Sequence, residues 1–374
     1  MKRRVFVLGA GAASVVSIVA CSTGRIETID QSAPEADVIT RSDTLAALQP
    51  PKRKRPVVAI LADNQGSEAT DLIVPWSVLK RSDAADVIIV STEPGDVQLM
   101  PALRIRPDMT VDQFDEMHPE GADYVIVPAF HNPKNPVAAN WLRQQSETQA
   151  IVAGVCSGAL VLAHAGLLVD RRATTHWYDR DKLVRISPTT KLQLNNRYLA
   201  DRGVATTTGV SASLPFALTL VEAILGRSRA EQSAAALGLA DFGQAHDSAA
   251  FRLKTQHVFR VASNFVSGNE QLGMQMDSGT DELELAFVAD SWSRTYKSTL
   301  PTYSDGDVGE VASFNGMRFV PDLGAAEGAA LPQIPAYEGR PANALASTLS
   351  DIANRYGEAT ARLVALQLEY AWKN

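Results

Sequence analysis

The chain is poor in the residues that carry most metal and disulfide chemistry. Its 374 residues include two cysteines, Cys21 and Cys156, and six histidines, none grouped at metal-ligand spacing. That excludes a zinc-finger or disulfide-rich scaffold, and no metal centre or cofactor is expected. Cation excess is also missing. The net charge is −7, so the overall field repels nucleic acid instead of collecting it, and no nucleic-acid partner is expected. No apolar run reaches the ~20 residues that span a bilayer as a helix. What is present is a globular composition, 45% hydrophobic and 21% charged, at a length that suits one large or two modest domains.

The longest apolar run lies at the start. Met1-Lys2-Arg3-Arg4 is a basic opening, and Val5 to Ala20 is rich in Gly, Ala and Ser and ends at Ile18-Val19-Ala20-Cys21. Its length suits the apolar region of a signal peptide. Small residues before a cysteine resemble the bacterial lipobox, which implies cleavage before Cys21 and lipidation of that thiol; Arg3-Arg4 also resembles a loose twin-arginine signal. Residues 1–24 are therefore expected to be an export signal, placing the body on the periplasmic side of a bacterial envelope with a lipid anchor in the membrane. An uncleaved anchor helix or a chance apolar start is the alternative. Residues 25–56, rich in Pro, Ser, Asp and Thr and ending in Lys52-Arg53-Lys54-Arg55, read as a flexible tether whose basic run either meets anionic lipid or is simply solvated.

From Val57 the pattern changes. Short continuous apolar runs at 57–61, 87–90, 124–127 and 150–153 alternate with helical stretches at 71–82 and 140–148. Such runs suit strands buried on both faces. The alternation predicts an α/β fold with an open, mainly parallel sheet and helices on both faces. Helices are further predicted over 158–168 and 214–225. Residues 229–374 read as a mostly helical C-terminal extension of unassigned role, packed on the first domain or forming a small second one. Within it a long helix is predicted over 281–300, with Trp292 and Tyr296 sharing a face. A hairpin is predicted around Asn315-Gly316, and a last helix from Leu345 to Trp372.

The chemistry concentrates in Gly154-Val155-Cys156-Ser157-Gly158, where a buried strand runs through small residues into a helix. Two glycines permit the sharp turn of a nucleophile elbow. The helix N-terminus is expected to lower the thiol pKa. The plainer alternative is that Cys156 is a small buried hydrophobe.

Residues 56–226 resemble the ThiJ/PfpI family, which has the flavodoxin-like, class I glutamine-amidotransferase-like fold. The elbow carries the resemblance, with Ala165-Gly166-Leu167-Leu168, Arg171 to Trp177, and Thr206-Thr207-Thr208-Gly209-Val210 matching the branch of isonitrile hydratases and of the N-terminal domains of some AraC-type regulators. The resemblance implies that Asp71 is the acid paired with the cysteine, where residue type alone gives a helix N-cap. It also implies that His176 shuttles protons or orients substrate, the alternative being a structural histidine bonded through both nitrogens. His246 stands out only because Ala245-His246-Asp247-Ser248 suits a domain junction. The family's Gly-Gly loop is replaced by Pro128-Ala129-Phe130-His131, so the N–H of Ala129 or Phe130, with that of Ser157, is expected to form the oxyanion hole, and Gly158 to line the pocket. The family commonly forms homodimers, although no dimer surface is legible.

Two functions of different kind follow. In the first, Cys156 is the nucleophile of a hydratase or hydrolase acting on a small molecule. In the second, the same pocket binds a ligand, or Cys156 senses oxidants. The His-x-Glu pair of a glutamine amidotransferase is absent after residue 210.

Overall fold

The computed structural model describes residues 39–268, 270–305 and 309–372. Cys21 and the signal-like segment lie outside the described residues. Helix α1 (Arg41–Ala47) comes first, followed by β1 (Val57–Ala62), α2 (Ala69–Ser82), β2 (Asp86–Ser91), β3 (Met109–Thr110), β4 (Tyr124–Val127) and α3 (Pro136–Glu147). Then come β5 (Ile151–Gly154), α4 (Gly158–His164), β6 (Tyr198–Asp201), β7 (Val204–Thr207) and α5 (Ser213–Leu225). These strands form one seven-stranded sheet in the order β6-β7-β5-β4-β1-β2-β3. All neighbours are parallel except β6 and β7. The four apolar runs supply its centre, and β1, β4 and β5 are buried at every position. The open, mainly parallel α/β sheet read from the sequence is the architecture found.

Part of the expected tether is not loose. Thr40 caps α1 through the Asp43 N–H, and Arg41 pairs with Glu222 on α5. The basic run is pinned as well: Arg53 pairs with buried Asp123, Lys52 donates to the carbonyl of Glu120, and Arg55 pairs with Asp83 and Asp86. Carboxylates at the amino end of the sheet capture these cations, so residues 39–55 belong to the folded body.

The extension shares the core of the first domain. It comprises α6 (Arg227–Leu237), α7 (Thr255–Ser267), α8 (Glu282–Ser293), α9 (Ala344–Tyr356), α10 (Glu358–Gln367) and shorter pieces. Helix α8 packs on α2 and α9, and one continuous apolar cluster runs from Leu48 to Leu368. The hairpin is present: Val311–Ala312 pairs with Arg318–Phe319, and Phe319 continues the ladder onto Ile105 of the first domain. Two helices are shorter than their sequence pattern. The stretch 281–300 is helical only to Ser293, and Tyr296 has a φ of 58°, so Tyr296 and Trp292 share no helical face. The final stretch breaks at Gly357, whose φ of 87° suits a residue without Cβ, giving two helices in place of one.

Candidate functional site

Strand β5 delivers Cys156 to the carboxyl edge of the sheet. Its φ is 55°, a left-handed conformation that costs a non-glycine residue about 1–3 kcal/mol. Hydrogen bonds hold it there. The Cys156 N–H donates to Thr207 Oγ1 at 2.9 Å, and Thr175 Oγ1 donates to the Cys156 carbonyl at 3.1 Å. The flanking glycines are required for space. A Cβ on Gly158 would stand 2.1 Å from the Val127 carbonyl oxygen, and one on Gly154 would stand 2.8 Å from the Ala159 nitrogen. The strained strand-to-helix turn is therefore enforced by strand β4 on one side and helix α4 on the other.

The electrostatics differ from the sequence expectation. Cys156 is only 7% exposed, and its thiol is pushed well above the ordinary range. Burial is the main cause, reinforced by the charges of Asp71, Glu68 and Glu369; the N–H of Ser157, directed at the sulfur, opposes them. The helix N-terminus does not lower the pKa overall, because α4 is one short helix set against desolvation and three carboxylates.

Asp71 lies fully buried in the first turn of α2. It is not the helix cap. Glu68 caps the helix, accepting from the Asp71 N–H at 2.6 Å, which frees the Asp71 carboxyl to face inward. Asp71 Oδ2 accepts from the Ala129 N–H at 3.2 Å, and Oδ1 has no hydrogen-bond partner. Burial, then the charge of Glu68, pushes its pKa well up, against the Ala129 N–H and Arg294.

The extension contributes the remaining charges. Arg294, just beyond α8, donates to Glu68 Oε1 at 2.9 Å and to Asp290 Oδ1 at 2.6 Å, so its guanidinium bridges both halves of the chain. Burial opposes its positive charge, but Asp290 and Glu68 outweigh it and hold its pKa above the usual value. Asp290 is itself raised well above the carboxylate range, by burial more than Arg294 lowers it. Beyond α10 the chain turns through Glu369, at a φ of 51°, and lays its carboxylate among four donors. These are the N–H groups of Gly209 at 2.7 Å and Trp177 at 3.2 Å, His246 Nε2 at 2.9 Å and Arg180 at 3.3 Å. Burial disfavours that charge, yet His246, His176 and Arg180 overcome it and hold the Glu369 pKa below the usual value.

The structure therefore brings Cys156, Ser157 and Asp71 together and assigns different work to other expected residues. His176 is bonded through both ring nitrogens: Nε2 to the Gln367 carbonyl at 3.0 Å and Nδ1 to the Tyr178 N–H at 3.4 Å. Burial lowers its pKa, leaving a neutral ring that ties the C-terminal turn down, the arrangement of a structural histidine and not of a proton shuttle. The Ala129 N–H is taken by Asp71 and the Gly158 N–H by the Val155 carbonyl, so neither is free to receive an oxyanion. Phe130 turns its ring into the core on the α3 side of the sheet. Its backbone pairs with Ser67 in an antiparallel bridge. Among the described residues no cluster of His, Cys, Asp and Glu has the arrangement of a metal site.

Glu68, Asp290, Arg294 and Glu369 were not singled out from the sequence. Only Glu68 left a signal there, three residues before Asp71 at capping distance. His246 was noted for its place at a junction: its N–H donates to the Asn195 carbonyl at 3.1 Å, and its ring bonds Glu369, which Gly209 and Trp177 of the first domain also hold.

A buried cysteine strained at the end of a parallel strand, with an enclosed acid beside it, defines an α/β protein of the cysteine-elbow class. Within that class the chain belongs to the DJ-1/PfpI family, whose model matches residues 56–223. It is 30% identical over 165 residues to an isonitrile hydratase of Pseudomonas putida, covering 43% of this chain and 69% of that protein. To Deglycase PfpI of Pyrococcus furiosus it is 29% identical over 121 residues, 31% of this chain and 70% of the relative. Among solved structures, Drosophila melanogaster DJ-1beta matches with 20% identity and a TM-score of 0.45, covering 50% of this chain and 100% of that one.

Proposed function

We propose that the protein is an enzyme in which Cys156 adds to a small electrophilic molecule, in hydratase- or hydrolase-type chemistry. The observation that carries the reading is the pairing of a conformationally strained thiol with an acid whose pKa is raised by the same burial. A free carboxylate is too weak a base to take a thiol proton. Buried Asp71 is a stronger base, and its partnerless Oδ1 is free to receive the proton as sulfur attacks and to return it afterwards. Ser157 N–H steadies the sulfur as charge develops on it.

The isonitrile hydratase relative suggests the first substrate class to test. Sulfur bonds to the terminal isonitrile carbon while the thiol proton, passed through Asp71, reaches the same carbon. Water then adds to the thioimidate and expels the thiol, leaving an N-substituted formamide. The test is proton NMR of small isonitriles, and of hydrolysable carbonyl adducts, incubated with the full chain and with Cys156→Ser. Formamide or hydrolysis product that depends on Cys156 supports the reading; equal rates with both proteins overturn it.

A second reading, a ligand-binding site, draws on the enclosure of Cys156; its redox-sensing form is the weaker one, because burial and a raised pKa keep the thiol neutral and slow its oxidation. Oxidant titration with mass analysis of the Cys156 peptide distinguishes the two. For the N-terminal segment we propose export and lipidation at Cys21, supported by the lipobox-like sequence alone. The mass of the mature N-terminal peptide tests it.

A further inference from the structure

Helix α7 presents an apolar face to solvent. Phe259 is 71% exposed and Val266 86%, one i,i+7 step apart on the same face, with Phe265 at 51% on its flank and Leu253 at 43% just before the helix. These are four of the large hydrophobic residues left exposed, gathered within fourteen positions. The opposite side of α7 is anchored: Val261 is buried, and Asn264 Nδ2 donates to the Thr295 carbonyl at 2.9 Å and to Thr360 Oγ1 at 3.2 Å. The helix is held firmly against the body with a second, uncovered apolar stripe facing away from it.

The charges around this stripe have one sign. Arg252 and Lys254 directly precede the helix, Arg260 follows Phe259 at its flank, and no Asp or Glu occurs in the sequence between Asp247 and Glu270. None of the three cations has an ion-pair partner among the described residues. In the other basic run Lys52 donates to the Glu120 carbonyl, Arg53 pairs with Asp123, and Arg55 pairs with Asp83 and Asp86. Exposed aromatic and aliphatic side chains on one helix, flanked by unpaired cations at its start, are the composition of an interfacial segment on an anionic bilayer.

The segment that leads into this helix is rooted beside the first described residues. Asn196 Nδ2 donates to the Ile39 carbonyl at 3.1 Å, and Asn196 also forms a β-bridge with Ala245. Ser248 donates to the Leu194 carbonyl at 2.6 Å, four residues before Arg252. One loop, 194–196, thus holds both the start of the folded body and the root of the basic apolar segment. Given the lipidation proposed above for Cys21, on which this part of the inference rests, residues 21–38 reach at most about 60 Å fully extended, enough to let the body touch the same membrane.

We propose that α7, with Leu253 and the cations Arg252, Lys254 and Arg260, is a membrane-docking surface that seats the body on an anionic lipid bilayer. The proposal does not rest on the catalytic reading and is tested apart from it. Phe259→Trp is introduced into the full chain, which is reconstituted into vesicles of phosphatidylcholine with or without phosphatidylglycerol, each carrying a nitroxide on a shallow acyl carbon. The added tryptophan signal, taken against the unsubstituted chain, is expected to be quenched in the phosphatidylglycerol vesicles. Arg252→Gln with Lys254→Gln is expected to lower the docked-to-undocked ratio about thirtyfold, the effect of two interfacial cations, with Val266→Ser lowering it further. An unquenched signal in both vesicle types overturns the proposal. So does equal quenching with and without phosphatidylglycerol, or a signal that changes only as the protein self-associates without lipid.

Discussion

Replacing Glu369 by glutamine exchanges one carboxylate oxygen for an amide in a place where every neighbour is a donor. The carboxylate receives Gly209 N–H and Trp177 N–H on Oε2, and His246 and Arg180 on Oε1. Whichever way the amide turns, its NH2 faces two of those donors. Two charge-assisted bonds are lost and a buried guanidinium loses its counter-charge, a cost of about 3–5 kcal/mol. The assay is urea unfolding of the full chain at neutral pH, followed by tryptophan fluorescence; a loss under about 1 kcal/mol would refute the assignment of Glu369 as the clamp. The same substitution removes a negative charge that acts on Cys156, so the thiol pKa should fall even as stability falls. The pH dependence follows from the sign of the shift. The Glu369 pKa is lower folded than unfolded, so its contribution is present above the unfolded value of about 4.3 and is lost as pH falls through the folded one. Wild type should therefore lose more stability on acidification than Glu369→Gln does.

Two further substitutions test other parts of the account. Gly158→Ala should destabilise by about 3 kcal/mol or fail to fold, since its Cβ meets backbone that cannot yield, and a midpoint within experimental error of wild type in the same unfolding assay would deny the elbow its steric basis. Glu284, pushed up to about 7 by burial and then by the charge of Asp281, ionises at greater cost when folded than when unfolded. Its contribution erodes as pH rises from about 4.5 to 7, so Glu284→Gln should raise stability by about 1–2 kcal/mol above pH 7, after allowance for its partial exposure, and leave it unchanged near pH 4, as read by thermal unfolding at the two values.

The parts of the fold that could be read from sequence are those whose residues answer to their near neighbours. Strands β1, β2, β4 and β5 are continuous apolar runs because helices cover both sheet faces, and burial on both faces erases the alternation a one-sided strand would show. The elbow was legible for a similar reason: Gly154 and Gly158 bracket Cys156 because backbone passes close on both sides. The antiparallel edge was harder. Thr206 and Thr207 belong to no apolar run, yet they form β7, with the Thr207 hydroxyl turned to hold Cys156. Charges supplied by the extension left no local trace. Arg294 meets Glu68 across 226 positions, and Glu369 meets Gly209 across 160. Each sits in an ordinary helix-end context, and only the packing of α8 on α2 and the turn after α10 give it a role. His176 shows the converse, a motif residue whose two ring nitrogens are engaged by backbone once the extension is in place.

The ionisation of Cys156 under the control of Asp71 is the central claim, and alkylation kinetics address it directly. Iodoacetamide reaction at Cys156, followed against pH by peptide mass in the full chain, gives the thiol midpoint for wild type and for Asp71→Asn. The account predicts a wild-type midpoint above the free-cysteine value of about 8.5, and a lower midpoint in Asp71→Asn, because a like charge beside the thiol has been removed. A wild-type midpoint at or below the free value, unmoved by Asp71→Asn, would contradict it.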